Sequence, residues 1–159
     1  MPPKNFLRMI QLAGEFFDVE NDPEQIQVNE HVLERLRNIH PASMGEKCTR
    51  DGPVAWTLVF PTSHRLMELF IANKITEREL LRRTRAGGKY DAVYLCSVLV
   101  LPEYRRKGIA RRLAIQSIKS IQQQHSIHYL FYWPFGGAGK KLAEDIAHSL
   151  HLPLHLRQR

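Results

Sequence analysis

The stretch Val98-Leu99-Val100-Leu101-Pro102-Glu103-Tyr104-Arg105-Arg106-Lys107-Gly108-Ile109-Ala110-Arg111-Arg112-Leu113 decides how this chain is read. It opens with an apolar, β-prone run, closes with Ile109 and Leu113 at helical spacing, and holds a basic, glycine-containing turn between them. A strand that runs through such a turn straight into a helix aims backbone N–H groups and the positive end of the helix dipole at one point. That is how a fold holds a phosphate. In Arg105-x-x-Gly108-x-Ala110 the two small residues stand where backbone must come close to a ligand.

Working outward, residues 90–101 read as one long, nearly continuous apolar strand. Residues 108–124 form a helix with Ile109, Leu113, Ala114, Ile118 and Ile121 on one face. Residues 127–133 are another apolar and aromatic strand, and 137–150 a helix buried through Leu142, Ala143, Ile146 and Leu150. Pro153 breaks that helix and leaves 154–157 as a short strand or a basic tail, so the C-terminal half reads β-α-β-α. Upstream, Thr76-Glu77-Arg78-Glu79 is a capping box opening a short basic helix that ends at Ala86-Gly87-Gly88, and 63–72 has a helical pattern. Residues 54–60 are a buried strand and 41–53 a loop rich in Pro, Gly, Ser and charge. Two amphipathic helices open the chain, over 5–17 and 23–39, the second with Asp22 as N-cap, Pro23 at its first helical position and His40-Pro41 at its end. The expected fold is α/β, a mixed sheet flanked by helices with a helical N-terminal half, in one domain over 1–159.

At the turn, Tyr-Arg-Arg-Lys-Gly-Ile-Ala resembles the Arg/Gln-x-x-Gly-x-Gly/Ala signature of the GNAT family of acyl-CoA-dependent N-acyltransferases. The order of strand, signature loop, helix, strand and helix over 90–150 is similar too. The resemblance implies that Arg105 heads a loop in which the backbone amides of Arg106, Lys107, Gly108, Ile109, Ala110 and Arg111 hold the pyrophosphate of acetyl-CoA. It also implies that strands 90–101 and 127–133 splay apart around the pantetheine arm. Main-chain groups at Val98, Leu99 and Val100 would align that arm and polarise the thioester carbonyl. The implied reaction is transfer of an acetyl, or other acyl, group to a primary amine whose class the sequence leaves open. A CoA-binding but non-catalytic module and a basic nucleic-acid-binding domain are the alternatives.

The chain departs from the family where the chemistry is done. Direct attack of an amine on a thioester needs a base for the amine and an acid for the departing thiolate. The signature strand offers Tyr94, Cys96 and Ser97 but no carboxylate, which leaves Asp91 or the 68–79 region for the base. The last helix lacks the early asparagine and the tyrosine that relatives often carry, so Tyr132 is the nearest phenol for the acid. Cys96 has no His or Asp partner positioned by sequence for an acyl-cysteine route. Relatives tend to begin with a strand, whereas this chain begins with helices and inserts a helical segment, 63–84, before the signature strand. Those inserted helices are expected to wall the acceptor site.

The 159 residues are 43% hydrophobic and 25% charged, and no apolar run approaches bilayer-spanning length, so the expectation is a cytoplasmic protein with no membrane partner. With Cys48 in a loop and Cys96 in a strand, both thiols are expected to be free. The charge is +7 and the pI about 9.7, a balance that favours anionic ligands. Aromatic residues do not interleave with Arg82, Arg83, Arg85, Arg157 and Arg159, which argues for a solvated face rather than nucleic acid. A homodimer is left open. Phe135-Gly-Gly-Ala-Gly-Lys140 fails the Walker pattern at Pro134 and Lys141, and the His125/His128 and His148/His151/His155 spacings lack a completing ligand, so no metal site is expected.

Overall fold

The structure is a computed structural model in which residues 4–16, 26, 29–134 and 137–158 are described. Its elements run α1 (Lys4–Phe16), α2 (Glu30–Ile39), β1 (Met44–Thr49), β2 (Gly52–Thr62), α3 (His64–Ile71), α4 (Glu77–Arg83), β3 (Ala92–Val100), α5 (Ile109–Gln122), β4 (Tyr129–Tyr132), α6 (Gly137–Leu150) and β5 (Leu154–Leu156). The five strands form one sheet in the order β1-β2-β3-β4-β5. Pairing is antiparallel across β1, β2 and β3, then parallel across β3, β4 and β5. The expected mixed sheet flanked by helices is therefore present.

Three expectations are corrected. Residues 41–53 are not a loop throughout, because β1 occupies 44–49 and carries Cys48. Glu46, Lys47 and Cys48 are exposed on this edge strand, so no alternating apolar face announces it. What makes it a strand is β2: Gly45 lies opposite Thr57, and a Cβ there would come 2.4 Å from Thr57 Oγ1. The second helix begins at Glu30 rather than Pro23, capped by Asn29, whose side chain accepts the Val32 N–H at 2.9 Å. Asp22-Pro23, Phe17 and the start of the Gly-rich connection at Phe135 lie outside the described residues. Lastly, Arg157 does not belong to a solvated face.

Arg157 is 4% exposed. Its guanidinium lies over the Phe70 and Trp133 rings at 4.6 and 4.7 Å, and it bonds Asn73 Oδ1 at 2.7 Å and the Ile75 carbonyl at 2.9 Å. Cation–π contact and charge-assisted bonds offset the cost of taking this charge out of water. The short strand β5 thereby ties the end of the chain to the turn between α3 and α4.

The main core gathers Phe60, Phe70, Tyr94 and Phe131 with Ile118 and Ile121 of α5. Phe70 and Tyr94, at a centroid distance of 5.2 Å, and Tyr94 and Phe131, at 5.0 Å, join α3 to the centre of the sheet. Each such pair contributes about 0.5–1.5 kcal/mol beyond burial. A second cluster, of Met9, Val54, Leu99 and Leu101, seats α1 against β2 and β3. Arg8 of α1 grips both oxygens of Glu103 at 2.7 Å, so α1 is pinned to the segment that follows β3. The capping box of α4 forms as expected, with Thr76 Oγ1 accepting the Glu79 N–H and Glu79 accepting the Thr76 N–H.

Candidate active site

After β3 the chain makes a 3-10 turn over Pro102–Tyr104 and then bends twice into left-handed backbone, at Arg106 (φ 64°) and Gly108 (φ 75°). Glycine adopts that conformation freely, and here it is also the N-cap of α5. Gly108 has no side chain to satisfy the first-turn amides, and the first helical bond runs from the Arg112 N–H to the Gly108 carbonyl at 3.1 Å. The N–H groups of Ile109, Ala110 and Arg111 are thus left to an outside acceptor at the positive end of the helix. Arg105, Arg106, Lys107, Arg111 and Arg112 are exposed around them. A Cβ at Gly108 would meet Arg112 Nη1 at 3.0 Å. Arg112 bonds the Lys107 carbonyl at 3.1 Å, and Lys107 Nζ sits 5.6 Å from the Tyr104 ring centre. The cradle fits a pyrophosphate: oriented amides, a helix N-terminus and surplus positive charge at one bend.

The strands on either side of the cradle part company. β3 and β4 pair from Ala92 with Tyr129 to Leu95 with Tyr132, where β4 ends while β3 runs on to Val100. At the same place β3 carries an extra residue, Cys96, against the step from Leu58 to Val59 in β2. Such a bulge re-aims a strand. Beyond it the edge of β3 that faces away from β2 has no strand partner among the described residues.

Alternation along β3 sorts the three residues named from the signature strand. The Leu101 N–H donates to the Val54 carbonyl at 2.9 Å, so Leu101 and Leu99 direct their main chain to β2 while Val100 and Val98 direct theirs into the opening. Arg105 Nε reaches the Val100 carbonyl at 3.0 Å from that side. Leu99 differs from the other two, since its side chain is buried under α1 and its main chain is committed to β2.

Tyr132 stands at the last paired rung, 5% exposed, where burial and the Glu144 carboxylate of α6 hold its phenol above the ordinary value. Of the carboxylates considered for a base, Asp91 is taken at the far end of β3 by His64, through the His64 N–H at 2.6 Å and Nδ1 at 2.5 Å. That contact raises the His64 pKa. Glu79 is in the capping box with Arg82 and Arg83 beside it, and Glu68 is exposed. Glu77 alone of these is buried. It accepts the Ile26 N–H at 2.7 Å and the Tyr94 hydroxyl.

Its charge is felt along β3. Burial, then Glu77, push the Tyr94 phenol and the Cys96 thiol well up. A thiol held protonated in this way is a poor nucleophile, so the local electrostatics work against an acyl-cysteine route. The sequence left Glu77 as one of the carboxylates of the 68–79 region; what sets it apart is its burial and its bond to Tyr94 of β3. The histidine spacings resolve into ring contacts, His125 with Tyr90 at 4.7 Å and His155 with Tyr129 at 5.8 Å.

Among solved structures the chain is similar to an aminoglycoside acetyltransferase from an uncultured soil metagenomic sample, crystallised in complex with trehalose. The identity is 14% and the TM-score 0.48, over 91% of this chain and 78% of that one. No curated protein matches the chain. A family model described as the acetyltransferase (GNAT) family matches residues 17–136, which take in the signature loop and both splayed strands. The chain therefore belongs to the GNAT family of acetyltransferases.

Proposed function

We propose that the protein transfers the acetyl group of acetyl-CoA to a primary amine. The observation that carries this is the conjunction of the Gly108 cradle with the parting of β3 and β4 at Leu95 and Tyr132. Backbone amides from Arg106 to Arg111 bind the pyrophosphate, and main-chain groups of Val98 and Val100 orient the pantetheine arm and polarise the thioester carbonyl. Glu77 takes a proton from the ammonium, directly or through one water, and frees the lone pair that attacks the carbonyl carbon. As the carbon–sulfur bond breaks, Tyr132, a phenol protonated at neutral pH, gives its proton to the thiolate, and the second proton of the acylated nitrogen passes through water to the phenolate. The α3 and α4 helices wall the acceptor side, a role supported by the contact of Phe70 with Trp133, just past the end of β4, and by the bond of Glu77 to Tyr94.

Calorimetry with acetyl-CoA tests the donor end. Sub-millimolar binding is expected, and Gly108→Trp is expected to abolish it while the protein stays folded, because an indole there blocks the approach to the amides. No binding by the folded wild-type protein sinks the proposal. Thioester consumption against a panel of amines tests the transfer itself and separates an enzyme from a module that only binds CoA.

A further inference from the structure

At the other end of β3, eight strand steps or roughly 26 Å from the cradle by strand rise, the surface holds a cavity of about 400 Å³. It is lined by the end of β2, the N-terminus of α3 and the turn from Arg83 to Tyr90. We propose that this cavity is a second anion site, for a small organic phosphate, independent of acyl transfer.

The charge balance is the first reason. Arg83, Arg85 and Lys89 line the cavity and no carboxylate does. Arg83 is paired with Glu79 at 3.4 Å, and Asp91, next along the chain from Tyr90, is taken by His64 at 2.5 Å. Arg85 and Lys89 make no side-chain hydrogen bond or ion pair among the described residues. Two uncompensated cations on one hollow match the double charge of a phosphate monoester.

The second reason is that the rim is held in place before any ligand arrives. Arg35 of α2 bonds the Leu81, Arg82 and Thr84 carbonyls at 3.2, 2.5 and 2.9 Å. Thr84 Oγ1 and Thr62 Oγ1 meet at 2.7 Å, and the Tyr90 hydroxyl donates to the Arg85 carbonyl at 2.5 Å. Gly87, at φ 73°, turns the chain between the two free cations. A preformed site loses less entropy on binding. Leu66 and the Tyr90 ring supply apolar wall for the organic part of the ligand, and the volume falls in the small-molecule range. The concavity favours a compact anion over a nucleic-acid backbone, which needs charge laid out along a strip.

The full chain, labelled with nitrogen-15 and kept in phosphate-free buffer, is titrated with phenyl phosphate while amide shifts are followed. The expected result is saturable shifts confined to residues 84–90, with a dissociation constant of about 0.1–1 mM, undiminished when acetyl-CoA is present. Arg85→Ala/Lys89→Ala, which changes only exposed side chains, is expected to weaken binding at least about tenfold with the rest of the spectrum unchanged. Shifts only over residues 105–111, no shifts at all, or equal affinity in the double variant overturn the proposal. So does preferential, steeply salt-dependent binding of a duplex oligonucleotide at 84–90, which would make the turn a nucleic-acid contact.

Discussion

Glu77 joins two demands that oppose each other at the level of a single residue. Burial disfavours its charge, and the Ile26 N–H and Tyr94 hydroxyl bonds restore part of what water would supply. Glu77→Gln keeps the volume and removes the charge. With Glu77 as the base, kcat is expected to fall by about 10²–10⁴ while acetyl-CoA affinity is unchanged. An unchanged kcat would place the base elsewhere. The cysteines offer a second check on the same field. Exposed Cys48 is expected to react with iodoacetamide well before Cys96, whose thiol is raised by desolvation and by the Glu77 charge. Faster labelling of Cys96 would contradict the electrostatics described above.

Among the elements, α1 is held by a small apolar cluster, the Asn5 N–H bond to the Asp51 carbonyl and the exposed Arg8–Glu103 ion pair. The Arg8 hydrogen bond lowers the Glu103 pKa from 4.5 to about 2. A depressed carboxylate contributes its stabilisation fully above its unfolded value and loses it as the pH falls through the folded one. Docking of α1 is therefore expected to weaken between pH 4.5 and about 2, ahead of the main core. Amide exchange of α1 across that range measures it, and the Arg8→Ala protein is expected to lose the pH dependence. The outcome reaches the cradle, because Glu103 lies between β3 and Arg105. Elements also mark where sequence patterns run out. The capping box at Thr76, the signature turn and the strand over 90–101 are readable because local bonds and periodicity create them. β1 has neither, and exists because β2 offers it a partner.

Across the whole molecule the C-terminal strand, the inserted helices and the opened sheet form one connected body. Arg157 links them, lying against Phe70 of α3 and Trp133 after β4 while bonding Asn73 and Ile75. Arg157→Ala leaves the buried Ile75 carbonyl unpaired and a gap between two rings, a loss on the order of 2–4 kcal/mol. Thermal unfolding is expected to shift down accordingly; a change within experimental error would show that the tail is dispensable. Arg157→Lys recovers little of this, because an ammonium cannot stack between rings and bond two acceptors in a plane.

By itself the sequence determined what short-range physics encodes: the strand–turn–helix at Gly108, the capping box at Thr76, the apolar strands and hence the family signature. A dipole, a left-handed glycine and an apolar period are all properties of neighbours in the chain. Only the tertiary structure decided that Glu77, rather than Asp91 or Glu79, is buried against Tyr94 of β3. It alone showed that Leu99 turns away from the cleft while Val98 and Val100 face it, that β1 completes the sheet, and that Arg157 is buried. Each of these depends on which distant groups compete for a side chain or a main-chain bond. Such competition is settled by packing, between residues that share no local pattern.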